Sequence, residues 1–181
     1  MKTKFINLYG GPGISKSTTA ASVFFNLKNK HYNSELIFEY AKQKVWSEDF
    51  KSLGCQPYIT GKQLYKQWIV DGKVDYAVTD SPLLLGLFYS GFGCNEDWEK
   101  SILHQFGLFD NLNILLKRNL DAHPFEQAGR MQNLEECLVI DQKIKDLLDN
   151  HSIPYVELEV SENCKHVEEI LRLATGVEWK I

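Results

Sequence analysis

The sequence predicts an α/β domain with a five-stranded, mostly parallel sheet and helices on both faces. Three observations carry this: strand-like and helix-like segments alternate along all 181 residues, a glycine-rich turn joins the first strand to the first helix, and no repeat or linker interrupts the pattern. A chain of this length buries about 70% of its unfolded surface and needs no disulfide staples. One domain over residues 1–181 is therefore expected.

Taken in order, Lys4 to Tyr9 is a β-type run that stops at Gly10-Gly11-Pro12-Gly13, and Lys16 to Lys30 places Ala20, Val23, Phe24 and Leu27 at helical spacing. Ser34 to Tyr40 reads as the second strand, followed by a helical segment from Ala41 to about Phe50 and a loop holding Gly54 and Pro57. Thr60 to Val70 reads as a helix with Leu64, Trp68 and Ile69 on one face. Asp75 to Asp80 forms the third strand, and Ser81-Pro82 supplies a capping residue and a first-turn proline for the next helix. Glu96 to Phe106 is helical, Asn113 to Leu116 is the fourth strand, and a polar, lid-like connection covers about 117–131. A helix from Asn133 to Leu148, a fifth strand from Ile153 to Val160 and a last helix from Glu162 to about Leu173 complete the chain.

Composition narrows the function. Twenty Lys+Arg against 24 Asp+Glu give a net charge of −4, which argues against broad sequence-independent nucleic-acid binding and leaves room only for a local basic patch. Cys55, Cys94, Cys137 and Cys164 are widely separated, without the spacing of a zinc site or a disulfide framework. The most apolar stretch, Pro82 to Phe92, is too short to span a bilayer, and no signal peptide precedes Phe5. A cytoplasmic protein with no membrane segment is the expectation.

The strongest chemical signal is Gly10-Gly11-Pro12-Gly13-Ile14-Ser15-Lys16-Ser17-Thr18, which sits between strand and helix as a Walker A loop requires. In such a loop backbone N–H groups and the helix N-terminus face phosphate oxygens, the lysine reaches the β- and γ-phosphates, and the following hydroxyl ligates Mg²⁺. ATP and Mg²⁺ are thus the expected cofactors, with Lys16 on the phosphates and Ser17 on the metal. Ser15 stands where the motif has its last glycine.

Asp80 ends the third strand at the sheet edge where open α/β folds bind ligands, and suits a second, metal-directed carboxylate; the bland alternative is a helix cap. Glu39 ends the second strand at the same edge and suits a general base toward an acceptor hydroxyl, against the alternative of a solvated strand end. Arg118 and Arg130 flank the polar connection and could close on a transferring phosphoryl group, whereas Lys117 reads as solvated charge. Tyr58 and Gln63 are candidates for contacts to a substrate base; Leu64 and Trp68 read as core.

The order of these motifs resembles the P-loop kinases related to thymidylate and deoxynucleoside kinases, most closely their small bacteriophage relatives. The similar runs are GGPG-x-x-KSTTAA at 10–21, EYAK at 39–42, Tyr58-Ile59-x-Gly61-x-Gln63, VTDSPLLL at 78–85, and Gly129-Arg130-x-Gln132 ahead of a helix with Ile140-Asp141. The resemblance implies a three-layer P-loop kinase fold and phosphoryl transfer from ATP to a nucleoside-type acceptor, free or within DNA. Some phage relatives phosphorylate 5-hydroxymethyluracil in phage DNA, which makes 5-hydroxymethyl-deoxyuridine the leading acceptor and the host cytoplasm the setting. Ser81 and Tyr40 stand where the cellular enzymes have arginine and proline, so a free nucleoside or nucleotide acceptor stays open. A non-transferring NTPase switch is the alternative from another class, although no Gln or Asn beside Asp80 offers to position water.

Overall fold

In Phe5-Ile6-Asn7-Leu8-Tyr9 every residue is buried, the pattern of a strand covered on both faces. The computed structural model, which describes residues 2–89, 91–121 and 133–181, puts that strand at the centre of the sheet. The strands are β1 (Lys4–Tyr9), β2 (Ser34–Ile37), β3 (Tyr76–Thr79), β4 (Asp110–Lys117) and β5 (Val156–Glu159), ordered β2-β3-β1-β4-β5. Every pairing is parallel.

Alternation along β1 divides the core. Ile6 and Leu8, with Val78, Ile114 and Leu116, meet α1 (Lys16–Asn29) and α8 (Lys165–Thr175) through Ala20, Val23, Leu27, Ile170 and Leu171. On the other face Tyr9 and Leu115 pack against Leu83–Leu85, α6 (Glu96–Gly107) and α7 (Leu134–Asn150) through Ile102, Phe106, Ile144 and Leu148. Phe5, Ile37, Ala77 and Phe109 extend that face toward Leu64 of α4 (Gln56–Trp68). The result is three layers. The chain leaves β1 toward one face and its neighbour β3 toward the other, so a crevice opens between their C-terminal ends.

Several boundaries differ from expectation for local reasons. The second strand stops at Ile37, because the Tyr40 N–H donates to Gln63 Oε1 instead of a ladder partner and Tyr40 begins α2 (Tyr40–Trp46). The helix expected from Ala41 to Phe50 is broken where Glu48 takes φ +55°; Asp49 then caps the short α3 (Phe50–Leu53), accepting from the Ser52 N–H and hydroxyl. Pro57 lies in the first turn of α4 rather than in a loop, so that helix starts four residues early. Ser81-Pro82 does not start a helix: the Ser81 N–H is taken by Thr79 Oγ1, and α5 (Leu85–Phe88) begins only later.

The face of α4 is the largest correction. Gln56, Ile59, Thr60, Gln63 and Gln67 are buried, whereas Trp68, read as core, is 66% exposed. α7 opens with a reciprocal capping box between Asn133 and Glu136. Of the lid-like connection, only its first residues belong to the described chain; Arg130, Gly129 and Gln132 lie outside the described residues. Among the described residues no helix is long and apolar enough to cross a membrane.

Candidate functional site

The loop from Gly10 to Ser15 turns β1 into α1 with three residues at positive φ: Gly10 at +140°, Gly13 at +75° and Ser15 at +64°. Ser15 thus adopts the left-handed conformation for which glycine is the easy choice, and its carbonyl accepts the Thr19 N–H at 2.8 Å as α1 begins. Lys16, the first residue of α1, folds back so that Nζ donates to the carbonyls of Gly10 at 2.6 Å and Gly11 at 2.8 Å. Burial lowers the Lys16 pKa, opposed by the negative charges of Glu39, Asp80 and Asp141.

One residue on, the Ser17 hydroxyl donates to Asp80 Oδ2 at 2.5 Å. Asp80 itself is buried at the end of β3, and its Oδ1 has no hydrogen-bond partner. The helix-cap alternative for Asp80 is removed, since no helix starts beside it. A buried carboxylate oxygen left unpaired is costly unless a cation meets it. Among the described residues no group of three or more His, Cys, Asp or Glu could cage a metal. Mg²⁺ keeps several waters and takes only one or two protein ligands beside substrate phosphates. Asp80 and Ser17 fit that requirement.

Glu39, ahead of α2, lines the same cavity as Lys16 and Asp80. Burial raises its carboxyl pKa above the ordinary value of 4.5, with the neighbouring Asp80 charge next, while Lys16 and Lys42 act the other way. Glu39 is half-buried and faces the cavity, unlike a fully solvated strand end. The cavity, of about 520 Å³, runs from Gly10, Pro12 and Lys16 past Glu39 and Asp80 to a chamber walled by Gln56, Thr60, Gln63, Leu83 and Tyr89. Burial and then the Glu39 charge raise the Tyr89 phenol pKa. Gln63 is held at both ends of its amide, with Oε1 accepting from the Tyr40 N–H at 3.2 Å and Nε2 donating to Thr79 Oγ1 at 3.4 Å.

Two expected residues stand elsewhere. Tyr58 is outside the cavity lining, its hydroxyl 2.6 Å from that of Tyr40 on the neighbouring surface. Arg118 does not reach the cavity either: it is bound to Asp141 and to the Pro12 carbonyl beneath the loop. Lys117 pairs with Glu157 at 3.6 Å, as solvated charge does. Gln56, Thr60, Tyr89 and Asp141 were not singled out as site residues. The Gln56, Thr60, Gln63 spacing along one helical face is the available signal for the first two; Asp141 is marked only by the Ile140-Asp141 run of the resemblance, which gives it no role.

The site therefore brings a lysine, a hydroxyl and two carboxylates to the C-terminal edge of the sheet, in a cavity walled by Gln56 and Gln63 and by the apolar Ile59, Leu83 and Leu85. No protein-family model matches this chain, and no curated protein matches it.

Proposed function

We propose that the chain is an ATP- and Mg²⁺-dependent phosphotransferase acting on a hydroxyl of a nucleoside-type acceptor. The observation that carries this reading is the convergence on one cavity of Lys16, Glu39 and Asp80, which holds the Ser17 hydroxyl, with Gln56, Thr60 and Gln63 in the same lining. Lys16 and the loop N–H groups would hold the donor phosphates, Ser17 and Asp80 the metal. Bound there, Mg²⁺ would neutralise charge developing on the phosphates. Glu39 takes the proton of the acceptor hydroxyl as that oxygen bonds to the γ-phosphorus; the bond from that phosphorus to the bridging oxygen breaks, and ADP leaves. Burial that raises the Glu39 pKa makes it a better proton acceptor at neutral pH. Gln63, with its amide fixed, orients the acceptor in the chamber.

A DNA-borne acceptor, with 5-hydroxymethyl-deoxyuridine as the leading candidate, is favoured over a free one by the surface beside the cavity. The segments α2 to α4, which wall the chamber, also expose Trp46, Phe50, Tyr58, Tyr65 and Trp68. Lysines lie over two tyrosine rings of this segment: Lys44 is 5.7 Å from the Tyr40 ring and Lys62 is 5.7 Å from that of Tyr58. Stacking aromatics interleaved with lysines suit bases and phosphates of a single strand, within a chain that is acidic overall. The test offers labelled ATP with free nucleosides, free nucleotides and single-stranded DNA carrying 5-hydroxymethyluracil. Label on the strand, with kcat/KM falling as salt rises, supports the DNA acceptor; preference for a free nucleoside or nucleotide, insensitive to salt, moves the activity to that substrate.

A further inference from the structure

Asp141 lies on the second turn of α7, 130 residues from the loop it touches. Its Oδ1 accepts the Gly11 N–H at 2.6 Å. Arg118, at the end of β4, closes on the same carboxylate with Nε to Oδ2 at 2.8 Å and Nη2 to Oδ1 at 3.2 Å, and Nη2 also donates to the Pro12 carbonyl at 2.8 Å. The Arg118 side chain is only 7% exposed. The approach is so close that a Cβ on Gly11 would fall 2.4 Å from Asp141 Oδ1.

We propose that Asp141 is a positioning residue for the nucleotide loop, acting through Gly11 and Arg118. The inference rests on the phosphotransferase reading. From Gly10 to Pro12 the backbone is held at four points: the carbonyls of Gly10 and Gly11 by Lys16, the Gly11 N–H by Asp141, and the Pro12 carbonyl by Arg118. Lys16 must give up the first two to reach a phosphate. The Asp141–Arg118 clasp then keeps the loop in shape while the lysine changes partners. Arg118 also cancels the carboxylate charge, which would otherwise repel a polyphosphate. In this arrangement Arg118 is a strut under the loop, not a group that touches the transferring phosphoryl.

The test compares Asp141→Ala, Asp141→Asn, Arg118→Ala and the double alanine variant for Mg·ATP affinity and for kcat at saturating ATP. Circular dichroism checks that each folds. Alanine at either position is expected to weaken ATP by about tenfold or more, with the double variant no worse than the weaker single one and kcat within about threefold of the parent. Asp141→Asn, which keeps an oxygen for the Gly11 N–H, should recover part of the loss, and it carries the test if the alanine variant does not fold. Unchanged affinity in these variants, with tight binding by the parent, overturns this role alone. A large kcat loss in Arg118→Ala that adds to that of Asp141→Ala also overturns it and returns Arg118 to the transition state. A parent chain that binds no ATP overturns the phosphotransferase reading and this role with it.

Discussion

Glu39 is the residue on which the proposed transfer turns, and its environment fixes the sign of a pH effect. As a base it must be deprotonated, so transfer should rise with pH through a limb displaced above glutamate's ordinary 4.5. Glu39→Gln should remove that limb and lower transfer by roughly a hundredfold to ten-thousandfold with ATP binding retained. The stability effect has the opposite sense: the folded chain binds this proton more tightly than the unfolded one, so stability falls as pH rises from 4.5 through the raised value. Denaturant titrations should show less of that fall in Glu39→Gln. At Ser15, glycine would relieve a left-handed conformation worth about 1–2 kcal/mol, against about 0.5–1 kcal/mol of added unfolded-chain entropy. Ser15→Gly should therefore be more stable by about 0.5 kcal/mol with ATP affinity kept or improved, as thermal unfolding and nucleotide titration will read. Asp80→Asn keeps the shape of the strand end but removes the negative charge facing a cation, so a magnesium titration should need more metal while ATP binding without metal changes little. Lys16, Ser17, Glu39 and Asp80 could be read in the sequence because each is tied to the end of a strand or the start of a helix, and parallel strands end together. Asp141 entered only within the Ile140-Asp141 run of the resemblance and without a role, since a contact across 130 residues leaves no spacing to read.

At the level of elements, periodicity located the strands and long helices but misjudged what some of them face. The rule that apolar residues point inward made Trp68 core and left Gln56, Thr60 and Gln67 unremarked. α4 instead turns Gln56, Ile59, Thr60 and Gln63 toward the cavity, buries Gln67 as well, and leaves Tyr65 and Trp68 exposed. Ser81-Pro82 looked like a helix start, yet Thr79 Oγ1 had already claimed the Ser81 N–H. α4 meets α5 at one tight point: a Cβ on Gly86 would lie 2.4 Å from Thr60 Oγ1 and 2.7 Å from its Cγ2. Gly86→Ala should cost about 1–3 kcal/mol by overpacking. Adding Thr60→Ala should restore part of that in a denaturant melt, since it removes both clashing atoms.

Across the whole molecule, the strand order explains why distant residues share one cavity. β1 and β3 are neighbours whose chains depart to opposite faces, and the loop after β1, Asp80 after β3 and Glu39 after β2 all emerge at one edge. The alternation of strands and helices made that architecture legible, and the parallel sheet is more uniform than expected. The acidic net charge, by contrast, says nothing of where the lysines and rings of α2 to α4 sit, because a total carries no placement. Every role assigned to the cavity depends on acceptor-dependent transfer. Its most direct test follows γ-labelled ATP in the parent chain and in Glu39→Gln, with and without a hydroxyl-bearing nucleoside acceptor, counting ADP released and label on the acceptor. One label on the acceptor for each ADP, little turnover without acceptor, and transfer lost in Glu39→Gln while ATP still binds is the predicted result. ATP consumed equally with and without acceptor, leaving every acceptor unlabelled, would contradict it.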